Sequence, residues 1–147
     1  MAVKPIPDGY HSVTPYLIVQ GVEALIDFLK QAFGAEETVR MPGPDGSIGH
    51  AEVKIGGSAV MMGETGGRFP PMPAAIHLYV EDCDALYERA LQAGATSIQE
   101  PADQFYGDRM SGVSDVAGNQ WWIATHVEDV PPEEMGRRAE EWAARQS

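Results

Sequence analysis

Two side chains of this sequence stand out as able to share chemistry: His50 and Glu52, two residues apart. Alternate residues of an extended strand point to the same face, so both can touch a common ligand. An imidazole beside a carboxylate makes a base and its orienter, or a pair of divalent-metal ligands that still needs a third and a fourth donor. His77 is the candidate partner for that second use. Tyr16, Tyr79 and Trp122 offer flat or amphipathic surface to an apolar or aromatic ligand, and Phe105 and Met62 could add to it. Met61 and Trp121 are expected in the core. Arg109, beside Asp108 and after Gly107, could clamp an anionic group or form a local ion pair at a turn. Cys83 falls in the first turn of an expected helix, but with no base beside it an inert thiol is expected. The sequence holds no Gly-x-Ser-x-Gly elbow and no Gly-rich phosphate loop opening a helix.

The elements that must position these residues repeat along the chain. A strand is expected over 12–19, with Pro15 marking an edge or a strand start. A helix over 22–33 carries Val22, Leu25, Phe28, Leu29 and Ala32 on one face, and Gly34 closes it. Strands are expected at 37–41, 48–55 and 58–62, separated by a turn at 42–46 and a hairpin at Gly56-Gly57. A Gly- and Pro-containing loop, 63–73, follows. The pattern then restarts. A strand over 75–80 leads to a helix capped by Asp82 or Asp84 that runs to about 93, where Gly94 stops it. Shorter strands at 97–99, 110–114 and 121–125 follow, with a turn at 115–118. Tyr16-Leu-Ile-Val19 recurs 61 residues later as His77-Leu-Tyr-Val80, and Ala24-Leu25 as Ala85-Leu86. The expectation is one α+β domain over 1–147 with two βαβββ modules, about 10–63 and 74–126. A last helix, about 131–147, has Pro131, Pro132, Glu133 and Glu134 in its first turn. Its apolar residues Met135, Ala139 and Trp142 pack on its own domain or on a second copy.

Bulk properties bound the function. The chain carries 22 Asp+Glu against 10 Lys+Arg, a net charge of -12, which argues against binding nucleic acid or an anionic membrane surface. At 147 residues and 44% apolar it can bury a core without a disulfide or a metal. Its single cysteine fits a reducing compartment. With no apolar leader at the start and no run long enough to span a bilayer, a cytoplasmic location is expected.

Several motifs together resemble the vicinal-oxygen-chelate superfamily: Tyr16-Leu-Ile-Val19, Ile26-Asp-Phe-Leu-Lys30 with Phe33-Gly-Ala35, Gly49-His-Ala-Glu52 with Ile55-Gly56, Gly107-Asp-Arg109, Asp115-Val-Ala-Gly-Asn119 with Trp121-Trp-Ile-Ala-Thr-His126, and Glu128-Asp-Val-Pro-Pro-Glu-Glu-Met135. That superfamily includes glyoxalase I, bleomycin- and fosfomycin-resistance proteins and extradiol dioxygenases, and the likeness is to its PhnB-like branch. The resemblance implies eight strands curled into an open cup with the helices outside. Alternation then turns Leu17, Val19, Ile76, Leu78 and Val80 toward the helices. It turns Thr14, Tyr16, Ile18, Ala75, His77, Tyr79, Val60, Met62, Trp122 and Ala124 toward the cup.

Metal-dependent members hold a divalent ion with His and Glu at four positions, which fall here on Thr14, near Met62, on Ala75 and on Trp122. None of these is a His or a carboxylate. The resemblance therefore implies a protein that captures a partly apolar small organic molecule with no cofactor, as resistance proteins do. The alternative is a lyase, isomerase or dioxygenase with a shifted divalent-metal site, or metal-free acid/base chemistry, around His50, Glu52 and His77. A third reading is a regulatory subunit whose cup has lost its ligand. A homodimer is implied as well, although a chain with both modules could close a cup alone.

Overall fold

The structure, a computed structural model, describes residues 2–66 and 68–147. The first module runs β1 (Tyr16–Val19), α1 (Val22–Phe33), β2 (Glu36–Pro42), β3 (Ile48–Ile55) and β4 (Ser58–Glu64). The second runs β5 (Ala75–Tyr79), α2 (Cys83–Gln92), β6 (Thr96–Asp103), β7 (Asp108–Ser114) and β8 (Gln120–His126), and α3 (Pro132–Gln146) follows. Each module forms an open four-stranded sheet, ordered β1-β4-β3-β2 and β5-β8-β7-β6. In each, the first strand lies parallel to the last and the other pairs are antiparallel. This is the expected α+β pair of βαβββ modules with a C-terminal helix.

The ends of the elements follow local chemistry. β1 begins at Tyr16, later than position 12, because Pro15 has no N–H to give; only its carbonyl joins the ladder, accepting from Met61 N at 2.9 Å. Gly34 closes α1 at φ 67°, its N–H reaching back to Lys30 O. The start of α1 has no capping side chain of its own. Glu64, at the end of β4, accepts from the N–H groups of Gly21 and Val22 at 2.8 and 3.1 Å, a carboxylate at the positive end of the helix. The second module repeats the device: Thr125 on β8 accepts from Cys83 N at 2.9 Å, while Asp82 caps Ala85 N. β6 is longer than expected, and its register shifts on the way past Pro101, which has no N–H for the ladder.

Both helices pack on one face of their sheets and against each other, and the core lies there. It draws Leu17, Val19, Ala51, Val53, Val60 and Met62 from the first sheet and Val113, Trp121 and Ile123 from the second. Trp121 lies 5.1 Å from the Phe33 ring and donates its indole N–H to buried Asp115 at 2.8 Å. Asp115 also accepts from the backbone N–H groups of Ala117 and Asn119 and from the Asn119 amide, whose oxygen accepts from Ala74 N. One carboxylate thus satisfies a whole turn and an indole.

The register corrects two expectations. Tyr16, Met61 and Glu52 stand side by side across β1, β4 and β3, and Leu17, Met62 and Ala51 form the next row. Met62 and Val60 therefore belong to the core, not the cup, and Met61, expected in the core, stands on the open face. The hairpin at Gly56-Gly57 decides this. It pairs Ile55 with Ser58, so Ser58, Val60 and Met62 inherit the buried side from Ile55. In the second sheet His77, Trp122 and Gly112 share a row on the open side, as do Tyr79, Ala124 and Met110. Trp121 takes the core side, as expected.

Helix α3 packs back on its own chain. Trp142 lies 5.7 Å from the Phe105 ring, and Arg138 donates to Phe105 O and to Glu128. Phe105, weighed as pocket lining, supports α3 instead. Among the described residues no helix is long and apolar enough to cross a membrane.

Replacing Asp115 by Ala strands a buried indole N–H and a buried amide. Each unpaired group costs about 1–3 kcal/mol, so Asp115→Ala should lower unfolding free energy by about 3 kcal/mol in urea titrations. A loss under about 1 kcal/mol would show that the turn does not depend on this carboxylate.

Candidate functional site

The helices leave the opposite face of each sheet open, and both open faces carry a carboxylate between aromatic and imidazole groups. On the first, Tyr16 and His50 meet with the phenol oxygen 3.1 Å from Nδ1, and His50 Nε2 lies 2.7 Å from Glu52 Oε2. Tyr10, from the segment before β1, donates its hydroxyl to the other Glu52 oxygen. Exposure falls along the row, from 50% at Tyr16 to 7% at Glu52. Burial pushes the Glu52 carboxyl up, but the hydrogen bonds from Tyr10 and His50 outweigh it and hold the group below its usual range. An ionised Glu52 can only accept. His50 Nε2 is therefore the donor to Glu52, and in the neutral imidazole Nδ1 is left to accept from the Tyr16 hydroxyl. Gly63 makes room for this, since a Cβ there would lie 2.9 Å from the Tyr16 oxygen. The Tyr16 ring borders a cleft of about 520 Å³ with Ile18, Gly49, Gly63, Glu64 and Phe69.

On the second face the Trp122 indole lies over bare backbone. A Cβ at Gly112 would come within 2.5 Å of its ring, so only glycine lets it lie flat there. Trp122 is half-buried, and its N–H reaches Gln120 Oε1 at 3.3 Å. In the same row His77 is exposed and packs on Tyr79, with ring centroids 4.7 Å apart. Tyr79 donates to Asp108 Oδ2 at 2.7 Å, and His126 Nδ1 lies 2.8 Å from Asp108 Oδ1. Asp129 holds the other His126 nitrogen at 2.7 Å. Burial pushes the Asp108 carboxyl up, yet hydrogen bonds from His126 and Tyr79 bring it below its usual value.

The expected site residues thus divide. Tyr16, His50 and Glu52 come together on the first sheet, and His77, Tyr79 and Trp122 on the second. His77 does not join His50 and Glu52; it also borders a cleft of about 250 Å³ between the modules, with His11, Thr14 and Ser58. Arg109 points to the helix side, ion-paired with Asp84 at 2.7 Å and Asp103 at 3.2 Å, so it meets none of the others. Cys83 is buried, and burial pushes its thiol up, which keeps it inert.

The family's metal positions do not fit a divalent ion. Thr14 bonds His11 O, Met62 lies in the core, Ala75 has no donor and Trp122 offers only an N–H. Among the described residues no three His, Cys, Asp or Glu side chains converge on one point.

Tyr10 and His126 were not among the expected site residues, while Met61 was expected in the core and Asp108 in a local pair with Arg109. His126 shares the parity of Trp122 on β8, so alternation could have found it. Tyr10 lies outside any periodic element and left no such signal.

His126 supplies a pH test. Its hydrogen bonds to Asp108, then to Asp129, raise its pKa above the ordinary 6.5. A group raised on folding stabilises the native state below its unfolded pKa, and that contribution is lost as pH rises through the folded value. Melting temperature should therefore fall from pH 6 to pH 8 more steeply in the native protein than in His126→Gln. Equal slopes would show that the Asp108–His126–Asp129 bridge does not couple to folding.

Comparison with known proteins agrees with this architecture. The model of the Glyoxalase/Bleomycin resistance protein/Dioxygenase superfamily matches residues 9–123. The chain is 38% identical over 135 residues to the uncharacterized protein Mb0911c of Mycobacterium bovis, covering 84% of this chain and 89% of that protein. Among solved structures, TioX of Micromonospora sp. ML1 superposes with a TM-score of 0.70 at 27% identity, over 80% of this chain and 99% of its own. TnmS3 of Streptomyces sp. CB03234, described as an antibiotic binding protein, shares the fold with a TM-score of 0.63 at 21% identity, over 86% and 98%. The repeated module, its open sheets and the family match agree: the chain belongs to the Glyoxalase/Bleomycin resistance protein/Dioxygenase superfamily.

Proposed function

We propose that the protein captures a partly apolar, planar organic molecule on its open faces without the family metal, as a cytoplasmic homodimer. The observation that carries this reading is the half-buried Trp122 indole on the open side of the second sheet, packed so closely on Gly112 that a Cβ there would meet its ring. Such a ring is a stacking platform. His77 and Tyr79 beside it supply polar edges, and Tyr16, Met61 and Ile18 line the other face. The antibiotic-binding description of TnmS3, which shares this fold, supports a ligand of that class. The metal-free part of the reading rests on the donors available at Thr14, Met62, Ala75 and Trp122. The homodimer rests on the two open faces: Tyr16 and Tyr79 are 50% and 61% exposed in the single chain, and a second copy laid across them would enclose a ligand.

Titrating planar aromatic antibiotics and quinones against tryptophan emission tests capture. Quenching should saturate in the native protein. Binding should weaken about tenfold in Trp122→Ala, the scale of one lost stacking contact of about 1.4 kcal/mol. Gly112→Ala should have a similar effect, because its methyl lifts the indole. An emission spectrum indifferent to every compound would sink the capture reading. Light scattering should return twice the 15.9 kDa chain mass, and a monomer at every concentration would remove the second copy.

A further inference from the structure

Glu52, His50 and Tyr16 stand in an order whose consequence goes beyond capture. A carboxylate that serves only the core would be buried with its partners, as Asp115 is. Here the row runs outward, from a shielded carboxylate through a half-buried imidazole to a phenol bordering a cleft. Both Glu52 oxygens are engaged, one by Tyr10 and one by His50, so the imidazole is held in one orientation. The second sheet provides the contrast. Tyr79 donates straight to the Asp108 carboxylate at 2.7 Å, and that bond raises the pKa of its phenol. No imidazole stands between them to take the proton. Tyr16 instead lies 3.1 Å from His50 Nδ1, which in the neutral imidazole can accept its proton, with an anion 2.7 Å away on the far side of the ring to stabilise the cation formed.

We infer that Glu52, His50 and Tyr16 form a proton relay that makes the first-sheet cleft a metal-free catalyst of keto–enol exchange in apolar 1,3-dicarbonyl compounds. The C–H bond between the two carbonyls breaks and its proton passes to the Tyr16 oxygen, while the Tyr16 hydroxyl proton moves to His50 Nδ1. The C–H electron pair becomes the enolate C=C bond, and a carbonyl π pair moves onto oxygen. The imidazolium is held by the Glu52 carboxylate. Reverse transfer returns the proton, to the oxygen as enol or to the carbon, and nothing is oxidised or reduced. A 1,3-dicarbonyl suits the cleft because its enolate spreads charge over two oxygens and needs no cation beside it. Ile18 and Phe69 suit an apolar or aryl substituent. The relay lies on the opposite sheet from Trp122 and does not depend on stacking there.

The test uses 1-phenylbutane-1,3-dione. An enol-rich stock is diluted into buffer with the full-length protein, and loss of enol absorbance is followed. The native protein should accelerate ketonisation above the buffer rate. Tyr16→Phe, which removes one half-exposed hydroxyl and should leave the circular dichroism spectrum unchanged, should cut the protein-dependent rate roughly 100-fold. Glu52→Gln, similar in shape but unable to hold the imidazolium, should do the same. A native rate equal to buffer overturns the relay, and so does a folded Tyr16→Phe that keeps the native rate. Failure here leaves the tryptophan titration untouched, so loss of the relay and loss of the capture reading are told apart.

Discussion

Packing α1 and α2 on their sheets commits one side of the central strands to apolar contact. Removing that surface from water is worth about 25 cal/mol per Å². Leu17, Val19, Val53 and Met62 on one sheet, and Trp121, Ile123 and Val113 on the other, meet that demand. Period-two alternation then leaves their neighbours no choice but the open side. Tyr16, His50, Glu52, Tyr79 and Trp122 are turned to the open faces because the residues beside them are held in the core. A one-residue slip of β4 would bury Met61 and expose Met62, and the Tyr16–Met61–Glu52 row would be lost.

The two open faces share one plan and differ in detail. Equivalent positions 61 residues apart hold Met61 and Trp122, and Tyr16 and His77. Each face keeps a shielded carboxylate held ionised by hydrogen bonds that outweigh its burial. The first places an imidazole between carboxylate and phenol, whereas the second joins carboxylate and phenol directly and uses its imidazole to reach Asp129. The same ingredients give a row that can move a proton outward on one sheet and a clamped network beside a stacking surface on the other.

Element order, the face of α1 and the helix-ending Gly34 were legible in the sequence, because each rests on local periodicity or a local backbone requirement. The pairing of His50 with Glu52 and the core position of Trp121 were legible for the same reason. Parity on β4 is set by the Gly56-Gly57 hairpin, which pairs Ile55 with Ser58, and not by the strand's own alternation. Arg109 forms an ion pair, one of the two uses open to it, but its Asp84 partner lies on α2, 25 residues away, and not beside it at the turn. Asp108, expected to pair with Arg109 beside it, instead binds Tyr79 and His126, which come from two other strands. Contacts of that kind leave no mark on neighbouring residues.

The hydrogen bonds from Glu64 to the start of α1, and from Thr125 to the start of α2, fasten each closing strand to the beginning of its own helix. Glu64 also borders the Tyr16 cleft. One carboxylate thus serves both as a wall of that cleft and as the anchor of the first turn of α1, and α1 in turn packs on α2, so the cleft and the helix pair are fastened at a single side chain.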